Sequence, residues 1–196
     1  RVRSSAASDV YKRQSLMNEA MERLSTGKRM NKASDDPAGI HQVMRLNAEI
    51  QGIETASKNA ADGQSLIDTL ETSLSEVQSI LLRMRELTIQ AISDTNSAAD
   101  RLALDTELSQ LELEITRIGS TTSFGGKPVF DGNLHYLQIG PRSGNTLEVQ
   151  AYTLSASTLG LTQDLTTRNN AENYLGIIDT AIEDINEKKR CSRRII

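Results

Sequence analysis

The sequence predicts a mainly α fold, an elongated antiparallel helical bundle made of a long helical hairpin and a C-terminal helix, with one small β-hairpin region. Three observations lead to this prediction. Apolar residues recur at alternating steps of three and four along most of the chain, which is the spacing of a helical seam. Aromatic residues are only 3% of the 196 residues and Trp is absent, so narrow seams of Leu, Ile and Ala have to form the core. Glycine and proline are concentrated in the segment that connects the helices.

The first 36 residues divide into two segments. Residues 1–14 show no helical periodicity and are predicted to be a disordered flank. Residues 15–36 begin with a helical pattern that continues to Gly27. The apolar residues of this pattern stand four apart: Leu16, Ala20 and Leu24.

A long helix is predicted from about residue 37 to residue 92. Asp36 is placed to cap its free N–H groups, and Pro37 suits its first position because the N–H that proline lacks has no partner there. The seam slips where Gln64 occupies an apolar position, which changes the winding of a coiled coil locally. Gly63 beside it marks a point of bending. Unbroken, this helix is about 80 Å long. Its seam residues are Val43, Leu46, Ile50, Ile53, Ser57, Ala60, Ile67, Leu70, Leu74, Val77, Leu81, Met84 and Ala91.

A second helix, a β-hairpin and a third helix follow. The polar break at residues 93–97 and a seam over about 98–118 predict an antiparallel helical hairpin whose two seams face each other. Alternating apolar residues on either side of a turn rich in Gly predict the β-hairpin at about 134–152. A final helix at about 170–186 adds a third seam, and residues 187–196 form a basic tail. The apolar residues of the two later seams are Leu104, Leu108, Leu111, Ile115, Ile118, Leu175, Ile178, Ile182 and Ile185.

The charge pattern argues against nucleic acid and membrane as partners. The formal net charge is −4, with 22 basic and 26 acidic residues, and the basic excess lies at the two ends of the chain. The acidic body between them is a poor binder of phosphate backbones and of anionic lipid surfaces. No apolar run approaches the roughly 18–20 residues that span a bilayer, and no cleaved secretory signal is recognisable in the first residues.

No residue pattern supports catalysis, a cofactor or a metal site. The lone cysteine, Cys191, excludes a disulfide framework, and His41 and His135 lie in different elements without a ligand pattern. Adjacent carboxylates are typical of a solvated helix face or a cap. The Gly-Gly-Lys at 125–127 lacks the flanking residues of a phosphate-binding loop, and no serine lies in a Gly-x-Ser-x-Gly elbow. We therefore expect a structural protein rather than an enzyme, without cofactors or metal ions.

Six motifs occur in order along residues 15–186: LSTGKRMNKASDDPAG at 24–39, NAADG at 59–63, RMRELTIQA at 83–91, FGGKPVFDG at 124–132, STLGL at 157–161 and IDTAI at 178–182. In this combination they resemble the bacterial flagellin family. The resemblance implies that residues 15–36 are a partial N-terminal arm and that residues 37–186 are a rod domain. Residues 1–14 and 187–196 are then flanks outside the family. In the family the two terminal arms pair in the filament, so this chain is expected to fold its rod yet polymerise weakly.

The resemblance also implies a function and partners. Flagellins are structural subunits of the extracellular flagellar filament, which serves motility; they self-assemble through long helices and are exported without a cleaved signal peptide. The implied partners are other flagellin subunits, the flagellar export chaperone, the cap protein and the vertebrate innate immune receptor for flagellin. The segment of the 83–91 motif is buried between subunits in the family and is bound by that receptor. By this resemblance the contact residues are Arg83, Glu86, Leu87, Gln90 and Glu107.

Two alternatives stay open from the sequence. The hook–filament junction protein of the same family shares the arm and rod helices, but it is not expected to match the 83–91 and 124–132 motifs this well. An intracellular helical scaffold module predicts a parallel dimeric coiled coil, and this leaves the β-hairpin unexplained.

Overall fold

The structure, a computed structural model, describes residues 2–27, 29, 36–162 and 164–193, with side chains described from residue 7 onward. The chain forms two compact units, Arg1–Glu54 and Thr55–Ile196. The predicted fold class is confirmed, because the chain is mainly α, with a helical hairpin, a C-terminal helix and a small β-hairpin.

Residues 2–14 are helical, whereas the sequence predicts a disordered flank at residues 1–14. Helix α1 spans Val2–Thr26 and ends at Gly27, whose φ of +65° lies outside the helical region. The expectation relied on periodicity, which detects a helix only when one of its faces is buried. No glycine or proline interrupts α1, and its Ala, Lys, Arg and Gln residues favour a helix without any packing partner.

Helix α2 spans Pro37–Ile92, the bounds expected from the sequence. The Oδ1 atom of Asp36 accepts a hydrogen bond from the backbone N–H of Gly39 at 3.0 Å. Asp36 therefore occupies the cap position, and Pro37 stands at the first helical position, where its missing N–H leaves no gap in the hydrogen-bond ladder. Residues 28 and 30–35 of the 24–39 motif, Asp35 among them, lie outside the described residues.

The first part of α2 buries none of its predicted seam. Val43, Leu46, Ile50 and Ile53 are 43–53% exposed, and none of the described side chains before Ala56 is buried. For these four residues the predicted spacing is right and the predicted burial is wrong. The reason is that burial requires a second surface, which helical spacing alone does not supply.

From Thr55 onward, three helices share one core. The later part of α2 packs with α3, which spans Ala98–Thr121, and with α4, which spans Arg168–Arg193. α3 begins at a capping box, in which Asp100 N donates to Ser97 Oγ at 3.2 Å and Ser97 N donates to Asp100 Oδ2 at 2.9 Å. The fully buried residues at the centre of the bundle are Leu70, Leu74, Val77, Leu81, Met84, Leu108, Ile115, Tyr174, Ile178 and Ile185.

Polar contacts between the three helices show their relative directions. Between α2 and α3, Arg83 pairs with Glu107, and Arg101 Nε donates to Ala91 O at 2.9 Å. The earlier residue of α2 thus pairs with the later residue of α3, so the two helices run antiparallel. The contacts between α2 and α4 follow the same rule: Arg85 with Asp179, Gln78 with Asn186, and Glu71 with Arg193. α2 is thus antiparallel to both neighbours, which completes the three-helix bundle.

α4 differs from its prediction in its buried face and in its end. Tyr174 is buried, whereas the predicted seam residue Leu175 is only partly buried. Ile178 and Ile185 of the predicted seam are buried. At positions 174 and 175 both side chains are apolar, and packing against the neighbouring helices decides which one enters the core. The helix also continues past the predicted end at residue 186 to Arg193, whose Nε lies 3.2 Å from both carboxylate oxygens of Glu71.

The connecting region holds two small antiparallel sheets where the sequence predicts one. Strand β1 (Ser123–Phe124) pairs with β2 (Lys127–Pro128) around Gly125 and Gly126. The φ angles of these glycines, +58° and +80°, suit a two-residue hairpin turn. No sheet is predicted here from the sequence, because two-residue strands are too short to show alternation.

The predicted β-hairpin is formed by β3 (Leu134–Gln138) and β4 (Thr146–Gln150). It packs on α2 at the slip in the seam. A Cβ added to Gly63 would lie 2.4 Å from Cδ1 of Leu137, so the glycine lets the hairpin approach the helix closely. Gly63 is buried and Gln64 is exposed. At the slip in the seam, Gln64 therefore faces solvent, and the β-hairpin packs against Gly63 instead.

Candidate interaction surfaces

The predicted contact residues centre on an arginine between two carboxylates. Arg83 on α2 donates from Nη2 and Nε to Glu107 Oε1 on α3 at 2.7 and 3.0 Å, and from Nη1 to Glu86 Oε2 at 3.2 Å. The side chains of Arg83, Glu107 and Glu86 are 51%, 45% and 70% exposed. Hydrogen bonds to Glu107 and then to Glu86 raise the pKa of Arg83. This charged cluster joins α2 to α3 and faces solvent.

Leu87 and Gln90, the other predicted contact residues on α2, lie in different environments. Leu87 is 1% exposed, so its side chain lies in the core in this conformation, and its role as a contact residue stays a prediction. Gln90 is exposed, and its backbone carbonyl accepts a hydrogen bond from Asn96 Nδ2 at 2.6 Å. The predicted contact residues that reach the surface are therefore Arg83, Glu86, Gln90 and Glu107.

The same two helices also expose apolar residues that are not among the contact residues predicted from the sequence. Leu82 and Ile89 on α2 are 48% and 47% exposed. Glu86 stands between them at steps of four and three, so the three residues lie on one helix face. On α3, Leu102 and Leu113 are 58% and 63% exposed. These residues can be identified from the sequence, because they are apolar but lie outside the predicted seams. An apolar residue outside the seam of a bundle helix has no core to enter.

Further exposed apolar residues lie on both helices of the unit formed by residues 1–54. On α2, the seam residues Val43, Leu46, Ile50 and Ile53, here called the α2 stripe, are exposed at coiled-coil spacing. α1 exposes further large apolar side chains, each by 61–84%: Val10, Tyr11, Leu16, Met17, Met21 and Leu24. Large exposed apolar patches mark surfaces that bind other proteins.

The described residues offer little for metal binding or for crossing a membrane. Among them, no group of three or more His, Cys, Asp or Glu side chains is placed to hold a metal ion. His135 has one carboxylate neighbour, with 3.5 Å between its Nε2 and Oδ1 of Asp131. Cys191 is an exposed free thiol. Over the same part of the chain, no helix has both the length and the apolarity that crossing a membrane requires.

Known proteins resemble this chain in sequence and in structure. A model of the bacterial flagellin N-terminal helical region matches residues 2–135. A flagellin of Halalkalibacterium halodurans is 39% identical over 173 residues, which cover 86% of this chain and 64% of the relative. Polar flagellin F of Vibrio parahaemolyticus is 41% identical over 137 residues, covering 69% of this chain and 36% of the relative. The crystal structure of Bacillus cereus flagellin superposes with a TM-score of 0.64 at 33% identity, covering 70% of this chain and 81% of that one.

The family model covers the surfaces described above. Arg83, Glu107 and the α2 stripe all lie within the range of the family model, which begins at residue 2 and so also includes the segment that the sequence analysis assigns to a flank. The chain spans 64% and 36% of the length of the two curated relatives, less than two thirds of each.

Proposed function

The chain belongs to the bacterial flagellin family, and from that premise we propose that it serves as a structural subunit of the flagellar filament, the extracellular assembly of bacterial motility. The α2 stripe is the observation that supports this proposal most strongly. It has the spacing of a coiled-coil seam, yet it is about half exposed. Burying such a side chain fully is worth about 1.5–3 kcal/mol. Four of them together form a strong site for another helix of a filament.

The names of the relatives also favour this function over the two alternatives. The relatives above are flagellins, which supports a filament subunit over the hook–filament junction protein of the same family and over an intracellular scaffold module. The proposed role is structural rather than catalytic, since it depends on helix surfaces. The charged cluster around Arg83 and the exposed Leu82 and Ile89 provide a second surface for subunit contacts.

The proposal includes a location and further partners. The protein acts outside the cell, after export without a cleaved signal peptide. It contacts other flagellin subunits in the filament, and the export chaperone and the cap protein on the way there. The vertebrate innate immune receptor for flagellin is a proposed partner of the exposed residues Arg83, Glu86, Gln90 and Glu107.

Seeded polymerisation tests the filament proposal. The 196-residue chain and a version extended by both terminal arms of a flagellin are mixed with filament fragments, and the pelleted fraction is measured. We expect weak incorporation of the shorter chain and strong incorporation of the extended one. Within the extended version, Ile50→Ser should lower incorporation about tenfold or more, since it removes an apolar side chain from the α2 stripe.

Met44→Ser is the matched control for Ile50→Ser. Met44 is 66% exposed and apolar but lies off the α2 stripe, so its replacement should leave incorporation unchanged. Circular dichroism of both variants checks that the helices persist. Failure of the extended version to join the seeds would overturn the filament function. Equal incorporation of the two lengths would show instead that the arms are not required.

A further inference from the structure

A partly buried carboxylate lies where α3 meets α4. Tyr174 on α4 is 0% exposed, and its hydroxyl donates a hydrogen bond to Glu112 Oε1 on α3 at 2.5 Å. Burial is the largest cause that raises the pKa of Glu112, and the tyrosine hydrogen bond opposes it. Burial also raises the pKa of Tyr174, so the hydroxyl keeps its proton and remains a donor.

Asp105 extends this contact along α3. It lies seven residues, or about two turns, before Glu112 and therefore on the same face of the helix. Its Oδ1 accepts a hydrogen bond at 2.8 Å from the backbone N–H of Leu165, a fully buried residue just before α4. The charge of Asp105 further raises the pKa of Glu112. Two carboxylates of one helix thus hold the start of α4 and the segment that leads into it.

These two carboxylates lack the cation that neighbouring acidic residues have. Glu114, two positions from Glu112, pairs with Arg117. Within the described part of the chain, no lysine, arginine or histidine pairs with Glu112 or Asp105; the groups that face Glu112 are the Tyr174 hydroxyl from α4 and the Asp105 carboxylate from α3. The segment before α4 contributes only a backbone N–H, which faces Asp105. The like charge of Asp105 therefore acts on Glu112 along α3, and no paired cation among the described residues offsets it.

We propose that Glu112, Tyr174 and Asp105 form an acid-strengthened clasp, which fastens α4 to α3 more tightly as the pH falls below neutral. When Glu112 takes up a proton, the cost of burying its charge and the repulsion by Asp105 both disappear. The carbonyl oxygen of the protonated carboxyl group still accepts the hydrogen bond from Tyr174. The contact is kept, and its electrostatic cost is removed.

The direction of the effect follows from the proton affinity of the folded state. A carboxyl group whose pKa is raised by folding binds a proton more readily when folded, so its ionisation costs stability above that pKa and the cost is lost as the pH falls through it. Folding raises the pKa of Glu112 above its ordinary value of 4.5, so stability is gained as the pH falls from the raised pKa towards the ordinary one. Glu114 behaves in the opposite way, because its hydrogen bond with Arg117 lowers its pKa.

An NMR titration of the Glu112 side-chain carboxyl in the full chain tests the clasp. We expect a pKa above the ordinary value. Tyr174→Phe removes a donor that favours the ionised form and should raise the pKa further, whereas Asp105→Asn removes a like charge and should lower it. If Glu112 titrates at its ordinary value and neither variant moves it, the clasp does not exist.

Hydrogen exchange of the α4 amides gives a second readout. Glu112→Gln keeps an acceptor for Tyr174 and imitates the protonated state, so it should slow exchange in α4 at pH 7 by about twofold or more. Near pH 4 the variant and the parent should agree. Glu114→Gln is the matched control and should not slow exchange, because it removes an ion pair. Equal exchange for Glu112→Gln and the parent at pH 7 would overturn the proposal.

Discussion

Among single residues, Arg83 has the best-defined contacts of the predicted contact set. It bonds Glu107 and Glu86 while half of its side chain stays exposed, so its removal changes the surface without opening the core. We predict that Arg83→Ala weakens activation of the vertebrate flagellin receptor about tenfold, the loss expected of an arginine anchor at an interface. Receptor signalling in cells measures this, and thermal melting by circular dichroism should be unchanged.

Arg117→Ala is the matched control for this variant. Arg117 is 57% exposed and pairs with Glu114 on the same bundle, but it lies outside the predicted contact set. Its replacement should leave signalling intact. Signalling that survives Arg83→Ala, or that both variants reduce equally, would contradict the role assigned to Arg83.

The same motif shows what the sequence can and cannot predict about a residue. Arg83 and Glu107 are 24 positions apart, and their pairing depends on how two helices pack, so only the resemblance to a family pointed to both. Leu87 lies in the same motif but is buried. A contiguous motif on a helix necessarily includes core and surface positions, because successive residues point about 100° apart.

Among the elements, the starts of α2 and α3 could be predicted better than the buried face of α4. α2 begins where a helix was expected at residue 37, and α3 begins near the expected residue 98. At both places a local cap, Asp36 or Ser97, accepts hydrogen bonds from the first turn. The buried face of α4 depends on the other helices, so the choice between Tyr174 and Leu175 could not be read from spacing.

Near the end of α3, Gly119 packs closely against Leu154 of the connecting region, and a substitution can test this contact. A Cβ added to Gly119 would lie 1.9 Å from the backbone oxygen of Leu154, and backbone atoms cannot move aside cheaply. We predict that Gly119→Ala lowers the free energy of unfolding by about 1–3 kcal/mol, the usual cost of overpacking. Urea denaturation followed by circular dichroism measures it through the transition midpoint.

Gly176 in α4 is the matched control for Gly119. No atom lies within 4 Å of a Cβ added there, so Gly176→Ala should stabilise the chain by about 0.5–1 kcal/mol through helix propensity. If Gly119→Ala is also stabilising, the close approach of Leu154 to α3 is not as the structure shows it.

Across the whole molecule, the two units differ in what stabilises them. The composition predicts narrow apolar seams, but a seam forms a core only where other helices cover it. In the unit from Thr55 onward, seams of α2, α3 and α4 meet in one cluster. In the unit before it, none of the described side chains is buried. The number of helices available to each stretch of seam is a property of the assembled chain, and periodicity within one helix does not reveal it.

This difference predicts that the chain does not unfold in one step. Isolated helices of this length are marginally stable in water, so residues 37–54 of α2 should exchange their amide hydrogens at least about a hundredfold faster than residues 66–91 of the same helix. Hydrogen exchange followed by mass spectrometry measures both stretches in one experiment.

Urea should likewise remove part of the helical signal before the main transition. Uniform protection along α2 with a single two-state transition would contradict this, because it would require a core beneath the α2 stripe. Adding the terminal arms should raise protection in residues 37–54 selectively, since the proposed filament function requires that the α2 stripe be covered.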